Sequence, residues 1–189
     1  LEWEYPTFRW FTGGLTNMCY SCVDYKVEQG LGMKAAFIAE DGDTGVTRTV
    51  TYLQLLEMVK KHAAALRGLG VQKGDRVAIY MPMGIEAAVI MLACARIGAI
   101  HMAIFAGFSP GAVVDRLSLT GSRFIFAQDA GTRRGKPVPL KIMVDEAVDL
   151  LEDQSQIKNI VVLKTGGVEV NMKQGRDITW EEFLAKAEG

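Results

Sequence analysis

Histidine is nearly missing from this chain: there are two in 189 residues, His62 and His101. Cysteine is scarce as well, at three, and proline stands at five. This leaves little material for a metal centre. Cys19-x-x-Cys22 is half of a tetrahedral site, and a second pair at suitable spacing is lacking. No metal is therefore expected, and both residues are read as buried helix cysteines. Three cysteines, an odd number, also argue against a disulfide scaffold and for a reducing, cytoplasmic setting. Neither sign of charge is in excess: 21 Lys and Arg face 22 Asp and Glu, a net charge of −1. No nucleic-acid partner and no attraction to an anionic membrane follow from that balance. The longest apolar run, residues 85–104, is broken by Glu86, Arg96, Gly98 and His101, so no bilayer span is expected. The opening residues do not read as a secretory signal. G-x-G-x-x-G, G-x-x-x-x-G-K-[ST] and H-E-x-x-H are all absent. By motif alone there is no complete active site, and no catalytic residue is assigned.

What is present is an ordinary globular composition, 49% hydrophobic and 23% charged. Residues 1–14 are aromatic and turn-rich, without either regular period, and read as an arm on the domain surface. A helix is expected over 15–29, stopped by Gly30 and Gly32. A hairpin follows, with strands at 35–40 and 46–50 around Asp41-Gly42-Asp43. Thr51 and Gln54 form a capping box, and Leu55, Val59, Ala63 and Leu66 make one apolar stripe down to Gly68 and Gly70. From there strands (76–81, 99–105, 123–127, 159–163) alternate with helices (85–97, 111–120, 140–151). Ser109 is the N-cap of the second helix, with Pro110 at its first position. Residues 164–176, with Gly166-Gly167, read as a polar excursion. Residues 177–188 read as a last short helix capped by Thr179.

This alternation predicts an α/β fold, an open and mostly parallel sheet with helices on both faces, preceded by the aromatic arm. Residues 1–32 form the arm and its helix, and 33–189 the α/β subdomain. A chain running from Leu1 to Gly189 is expected to be part of a larger domain that continues further. In such sheets ligands bind beyond the carboxyl ends of the strands. Three loops lie at that edge: 81–84, 106–109 and 128–137. They bring Gly107 to one rim with Arg133-Arg134-Gly135-Lys136. Two or three cations beside a glycine suit a phosphate, and they equally suit a solvated basic loop. Gly107-Phe-Ser-Pro-Gly111 also fits the nucleophile-elbow pattern, but Pro110 has no N–H for an oxyanion and both histidines precede Ser109. Ser109 is therefore read as a cap. His62 and His101 are read as hydrogen-bonded core residues. Asp145, Glu146, Asp149, Glu152 and Asp153 are read as a solvated acidic face.

Several segments carry a family resemblance: Trp10-Phe-Thr-Gly-Gly-Leu-Thr-Asn17, Cys22-Val-Asp24, Gly74-Asp-Arg-Val-Ala-Ile-Tyr-Met-Pro-Met83, Met91-Leu-Ala-Cys-Ala-Arg-Ile-Gly-Ala-Ile-His101, Phe105-x-Gly-Phe-Ser109 and Pro139-Leu-Lys141. In order and spacing the chain resembles the N-terminal portion of AMP-forming acetyl-CoA synthetases and other short-chain acyl-CoA synthetases. The resemblance implies a two-step reaction on small molecules. A carboxylate and Mg-ATP give an acyl-adenylate and pyrophosphate, and CoA then displaces AMP. It implies that Arg133 and Lys136, with Arg134 and Gly135 between them, contact the phosphates of CoA, and that Gly107 lines the same site. Ala106, Lys136 and Ser21 depart from the commoner residues of that family. The phosphate loop ending in Pro-Lys, the acyl pocket and the domain with the adenylation lysine are not in the sequence, so residues 1–189 alone are expected to be inactive. The remainder of the same polypeptide is the implied partner. The rival reading is a stand-alone CoA- or nucleotide-binding module, or an interaction module of the same fold. A downstream Thr-Gly-Thr-Thr-Gly-x-Pro-Lys segment separates the two.

Overall fold

The computed structural model describes residues 2–42, 44–165 and 168–188. Leu1, Asp43, Gly166, Gly167 and Gly189, which took part in the arm, turn, excursion and boundary readings, lie outside the described residues. The arm is a small antiparallel hairpin of β1 (Glu2–Glu4) and β2 (Thr7–Arg9). Helical turns run over 18–31, including wide π-type turns at Tyr20–Asp24 and Val27–Leu31. A second hairpin pairs β3 (Ala35–Glu40) with β4 (Thr47–Thr51). Then come α1 (Tyr52–Gly68), β5 (Arg76–Tyr80), α2 (Ile85–Ile97), β6 (Ile100–Ala103), α3 (Pro110–Thr120) and β7 (Phe124–Gln128). A third hairpin joins β8 (Gly131–Arg133) to β9 (Lys136–Val138). The chain closes with α4 (Leu140–Asp149), β10 (Asn159–Leu163), β11 (Asp177–Thr179) and α5 (Trp180–Ala185).

The central sheet has five strands in the order β11-β10-β7-β5-β6, and every neighbouring pair is parallel. Its strands are apolar on both faces because both are covered. Successive side chains point to opposite sides. Val77, Ile79, Phe124, Phe126 and Val161 thus enter a core with α1, α2 and α5. Ala78, Tyr80, Ile125, Ala127, Ile160 and Val162 enter a second core with α3 and α4. The expected α/β architecture with helices on both faces is what the chain adopts.

The motif residues act as local fasteners. Asn17 Nδ2 donates to the Ala95 and Arg96 carbonyls at the end of α2, 3.1 Å each. Arg96 clasps Asp24 with two bonds of 2.7 and 2.8 Å, which ties the N-terminal helical turns to α2. That guanidinium holds the Asp24 carboxyl below the ordinary carboxylate value. Asp75 closes the turn before β5 by accepting from Gln72 N at 2.8 Å. Arg76 reaches across to the carbonyls of Thr120 and Gly121 at the end of α3, where unpaired carbonyls need donors. Thr51 and Gln54 form the expected capping box of α1, and Thr179 forms another with Glu182 on α5.

Four expectations are corrected. Residues 177–179 do not open a helix but form β11, the fifth strand, because pairing with β10 captures them before α5 begins. Asp145 is only partly solvated. It receives Lys141 Nζ at 2.7 Å and also contacts Arg176. Lys141 is fully buried and also pairs with Asp177 at 2.8 Å, while Arg176 Nε donates to Asp177 at 2.6 Å. Burial alone would raise the Asp177 carboxyl; the bonds from Arg176 and Lys141 outweigh it and hold it low. His101 is exposed, because β6 is the edge strand and its cover is incomplete. Cys22 is exposed, whereas Cys19 and Cys94 are buried and burial pushes the Cys94 thiol up to about 12. His62 is buried as expected, and its Nδ1 meets the Met58 carbonyl at 2.7 Å.

Candidate functional site

The chain leaves β5 through α2 toward β6 on one side. It leaves β7 through the third hairpin and α4 toward β10 on the other. The connections therefore diverge between β5 and β7, and divergence at carboxyl ends opens a crevice. A cleft of about 520 Å³ lies there. The ends of β5 (Met81, Met83) and β6 (Phe105, Gly107) line it together with Arg133. The three loops expected to share a rim do meet. A second crevice, of about 520 Å³ as well, shares Pro82, Met83, Gly131 and Thr132 with the first and adds Glu40, Asp41 and Thr165.

The basic segment read as a loop is a β-hairpin, with Arg133 opposite Lys136. Its turn is the pair Arg134 and Gly135, both with positive φ, +53° and +72°. A two-residue turn of that hand matches the twist of the two strands. All four residues are exposed. Arg133 lines the cleft, whereas Arg134, Gly135 and Lys136 stand outside the set lining it. Among the described residues no carboxylate pairs with Arg133, Arg134 or Lys136. Three cations without counterions at a ligand edge can receive an anion without first breaking an ion pair.

Gly107 sits in the turn after β6, and its small size has a local reason. A Cβ there would stand 2.5 Å from the Phe105 ring. The turn is held from below. Tyr80, buried in the second core, donates its hydroxyl to the Phe108 carbonyl at 2.7 Å. Arg116 lies 4.3 Å over the Phe108 ring, a cation–π contact. Ser109 accepts from Ala112 N and caps α3, as expected. His62 belongs to the core on the opposite face of the sheet, packed on Trp180 and Phe183. Ser109 thus has no histidine partner among the described residues. Nor do any three His, Cys, Asp or Glu side chains converge among them to hold a metal ion. Among the described residues no helix is long and apolar enough to cross a membrane.

A family model described as an AMP-binding enzyme matches residues 26–185, most of the chain and all of the sheet that builds the cleft. The chain belongs to this family. It is 46% identical to the acetyl-coenzyme A synthetase of Rubrobacter xylanophilus over 188 residues, 100% of this chain and 29% of that protein. It is 47% identical to that of Deinococcus radiodurans over 185 residues, 97% of this chain and 28% of the relative. The acetyl-coenzyme A synthetase of Streptomyces avermitilis is 46% identical over 187 residues, 98% and 28%. The chain therefore spans less than a third of the length of these relatives. As an AMP-binding family member it carries the sheet edge and the basic hairpin. Met81 and Met83 line the cleft from the 81–84 loop that the sequence placed at the ligand edge. Sequence reading missed Asp129, the buried carboxylate at the root of the hairpin.

Proposed function

We propose that this chain is the CoA-facing N-terminal region of an AMP-forming short-chain acyl-CoA ligase. In that enzyme a carboxylate oxygen attacks the α-phosphorus of Mg-ATP and pyrophosphate leaves. The thiolate of CoA then attacks the acyl carbon, and AMP leaves. Residues 33–189 are taken as part of a larger α/β domain completed by further chain. Their part is to bind one end of CoA. The observation that carries this is the cleft at the switch point that has Gly107 on one wall and the uncompensated cation Arg133 on the other. In the proposed pose Arg133 grips a CoA phosphate bidentately, and Lys136 and Arg134 add charge from the rim. Asn17 and the helical turns over 18–31 serve as a brace on α2. The setting proposed is the cytoplasm, supported by three free thiols.

The test is kinetic, in the complete ligase carrying this region. Arg133→Ala raises the KM for CoA about tenfold or more, the scale of one lost charge-assisted pair. Acetate-dependent exchange of pyrophosphate into ATP, which does not use CoA, stays within about twofold of the parent. Equal loss of both activities would refute the assignment. The 189-residue chain alone forms no AMP from acetate, ATP and CoA.

A further inference from the structure

We propose that Asp129 and Thr165 are positioning residues that fix the basic hairpin at its root; the inference rests on the CoA reading of that hairpin. Asp129 follows β7 directly and is only 1% exposed. A buried carboxylate is costly unless donors surround it. Here its Oδ1 accepts from Ala130 N at 2.8 Å and from the Thr165 hydroxyl at 2.7 Å. Its Oδ2 accepts from Thr165 N at 3.0 Å. The Asp129 N–H donates to the Leu163 carbonyl at 2.9 Å, and its own carbonyl faces Lys141 N at 3.4 Å. Gln128 Nε2 donates to the Ala130 carbonyl at 2.7 Å.

Two pieces of chain thus donate to one carboxylate, Ala130 just before the hairpin and Thr165 after β10, while the start of α4 meets the backbone carbonyl of the same residue. The sheet does not need this clamp. The β7–β10 ladder is complete over five residues and ends at the pair Gln128 and Leu163. The Asp129–Thr165 contacts lie just past that end, where the ladder stops and the ligand edge begins. The hairpin does need one. Its arms are three residues long, too short for independent stability, so its direction must be set from outside. Gly131 adds the matching steric constraint: a Cβ there would lie 3.2 Å from Pro82 and 3.4 Å from Leu140. The clamp and this close fit aim Arg133 into the cleft.

Asp129→Asn is the direct variant, but changing a buried charge endangers folding. Thr165 is exposed, so its variants keep the fold. CoA is titrated calorimetrically into the complete ligase carrying this region, and thermal melts run in parallel. Thr165→Val weakens CoA binding about fivefold, as expected for loss of the hydroxyl's bonds to Asp129 and Gln128, and lowers the melting temperature by only about 2–4 °C. Thr165→Ser, which keeps the hydroxyl, restores binding to within about twofold. Arg133→Ala weakens binding at least as much as Thr165→Val. If Thr165→Val binds like the parent while Arg133→Ala does not, the positioning role falls and the CoA reading stands. Equal weakening in the valine and serine variants also overturns it, because the hydroxyl is then not responsible. If the parent does not bind CoA, or Arg133→Ala binds unchanged, the CoA reading falls and takes this inference with it.

Discussion

Arg134 occupies a backbone position, φ +53°, where an L side chain meets the following carbonyl. Glycine or asparagine is the usual residue in such a turn. An arginine there costs about 1 kcal/mol of strain, which marks the side chain as wanted for something other than the turn. Arg134→Gly should therefore raise the stability of the chain by up to about 1 kcal/mol, less the added unfolded-state entropy of glycine. The same variant should weaken CoA binding. Urea denaturation and CoA titration read the two effects separately. A loss of stability with unchanged binding would leave the arginine as a structural turn residue. Two of the readings corrected at this scale, an inner His101 and a buried Cys22, share a cause. Residue type and periodicity say which way a side chain points within its element, not whether anything covers that side.

Elements were the most legible scale. Capping boxes, glycine stops and apolar periods located α1, α2, α3 and four of the five parallel strands, because those signals are local. What escaped was decided by pairing. The segment over 177–179 has no strand signature of its own, and β10 recruits it. The basic segment has turn chemistry, Arg134-Gly135, that reads as a loop until its two arms meet. Element contacts also set a sharp stability test at the end of α1. Gly68 is the last residue of that helix, and a Cβ on it would lie 2.2 Å from the Lys186 carbonyl oxygen. In an exposed helix Gly→Ala would stabilise by about 1 kcal/mol. Here the oxygen is backbone and cannot swing aside, so overpacking wins. Gly68→Ala is expected to destabilise by about 1–3 kcal/mol, measured by urea denaturation. A gain in stability would show that residues 186–188 yield freely.

For the molecule as a whole, buried titratable groups set how it responds to acid. Burial pushes the His62 imidazole below its ordinary value of 6.5, so the folded state holds it neutral. The unfolded chain binds the proton first. The stabilisation is thus complete above pH 6.5 and shrinks as pH falls toward the lowered folded value. Asp24 is held low by Arg96, and Asp177 by Arg176 and Lys141 against the pull of burial. Their contribution is complete above the ordinary value of 3.8 and is lost as pH falls below it. Urea midpoints should therefore fall in two stages. His62→Phe, which keeps a ring against Trp180 and Phe183, should remove the upper stage and leave the lower. Parallel declines of parent and variant between pH 7 and 5.5 would assign the upper stage elsewhere.

The amino-acid sequence by itself determined the alternation of strands and helices, their caps, and the three loops that a parallel sheet must gather at one edge. Periodicity and turn chemistry are properties of neighbours along the chain, so they can be read there. Only the tertiary structure decided that β11 completes the sheet and that Lys141 and Asp177 are taken out of water as a pair. It also decided that Arg133, among three adjacent cations, lines the cleft, and that Asp129 clamps the root of its hairpin. Those outcomes depend on residues about 17 to 50 positions apart meeting in space, as Ile160 meets Asp177, Asp129 meets Thr165 and Arg133 shares one cleft with Met83. Nothing local distinguishes a carboxylate that will be buried among donors from one that will face solvent.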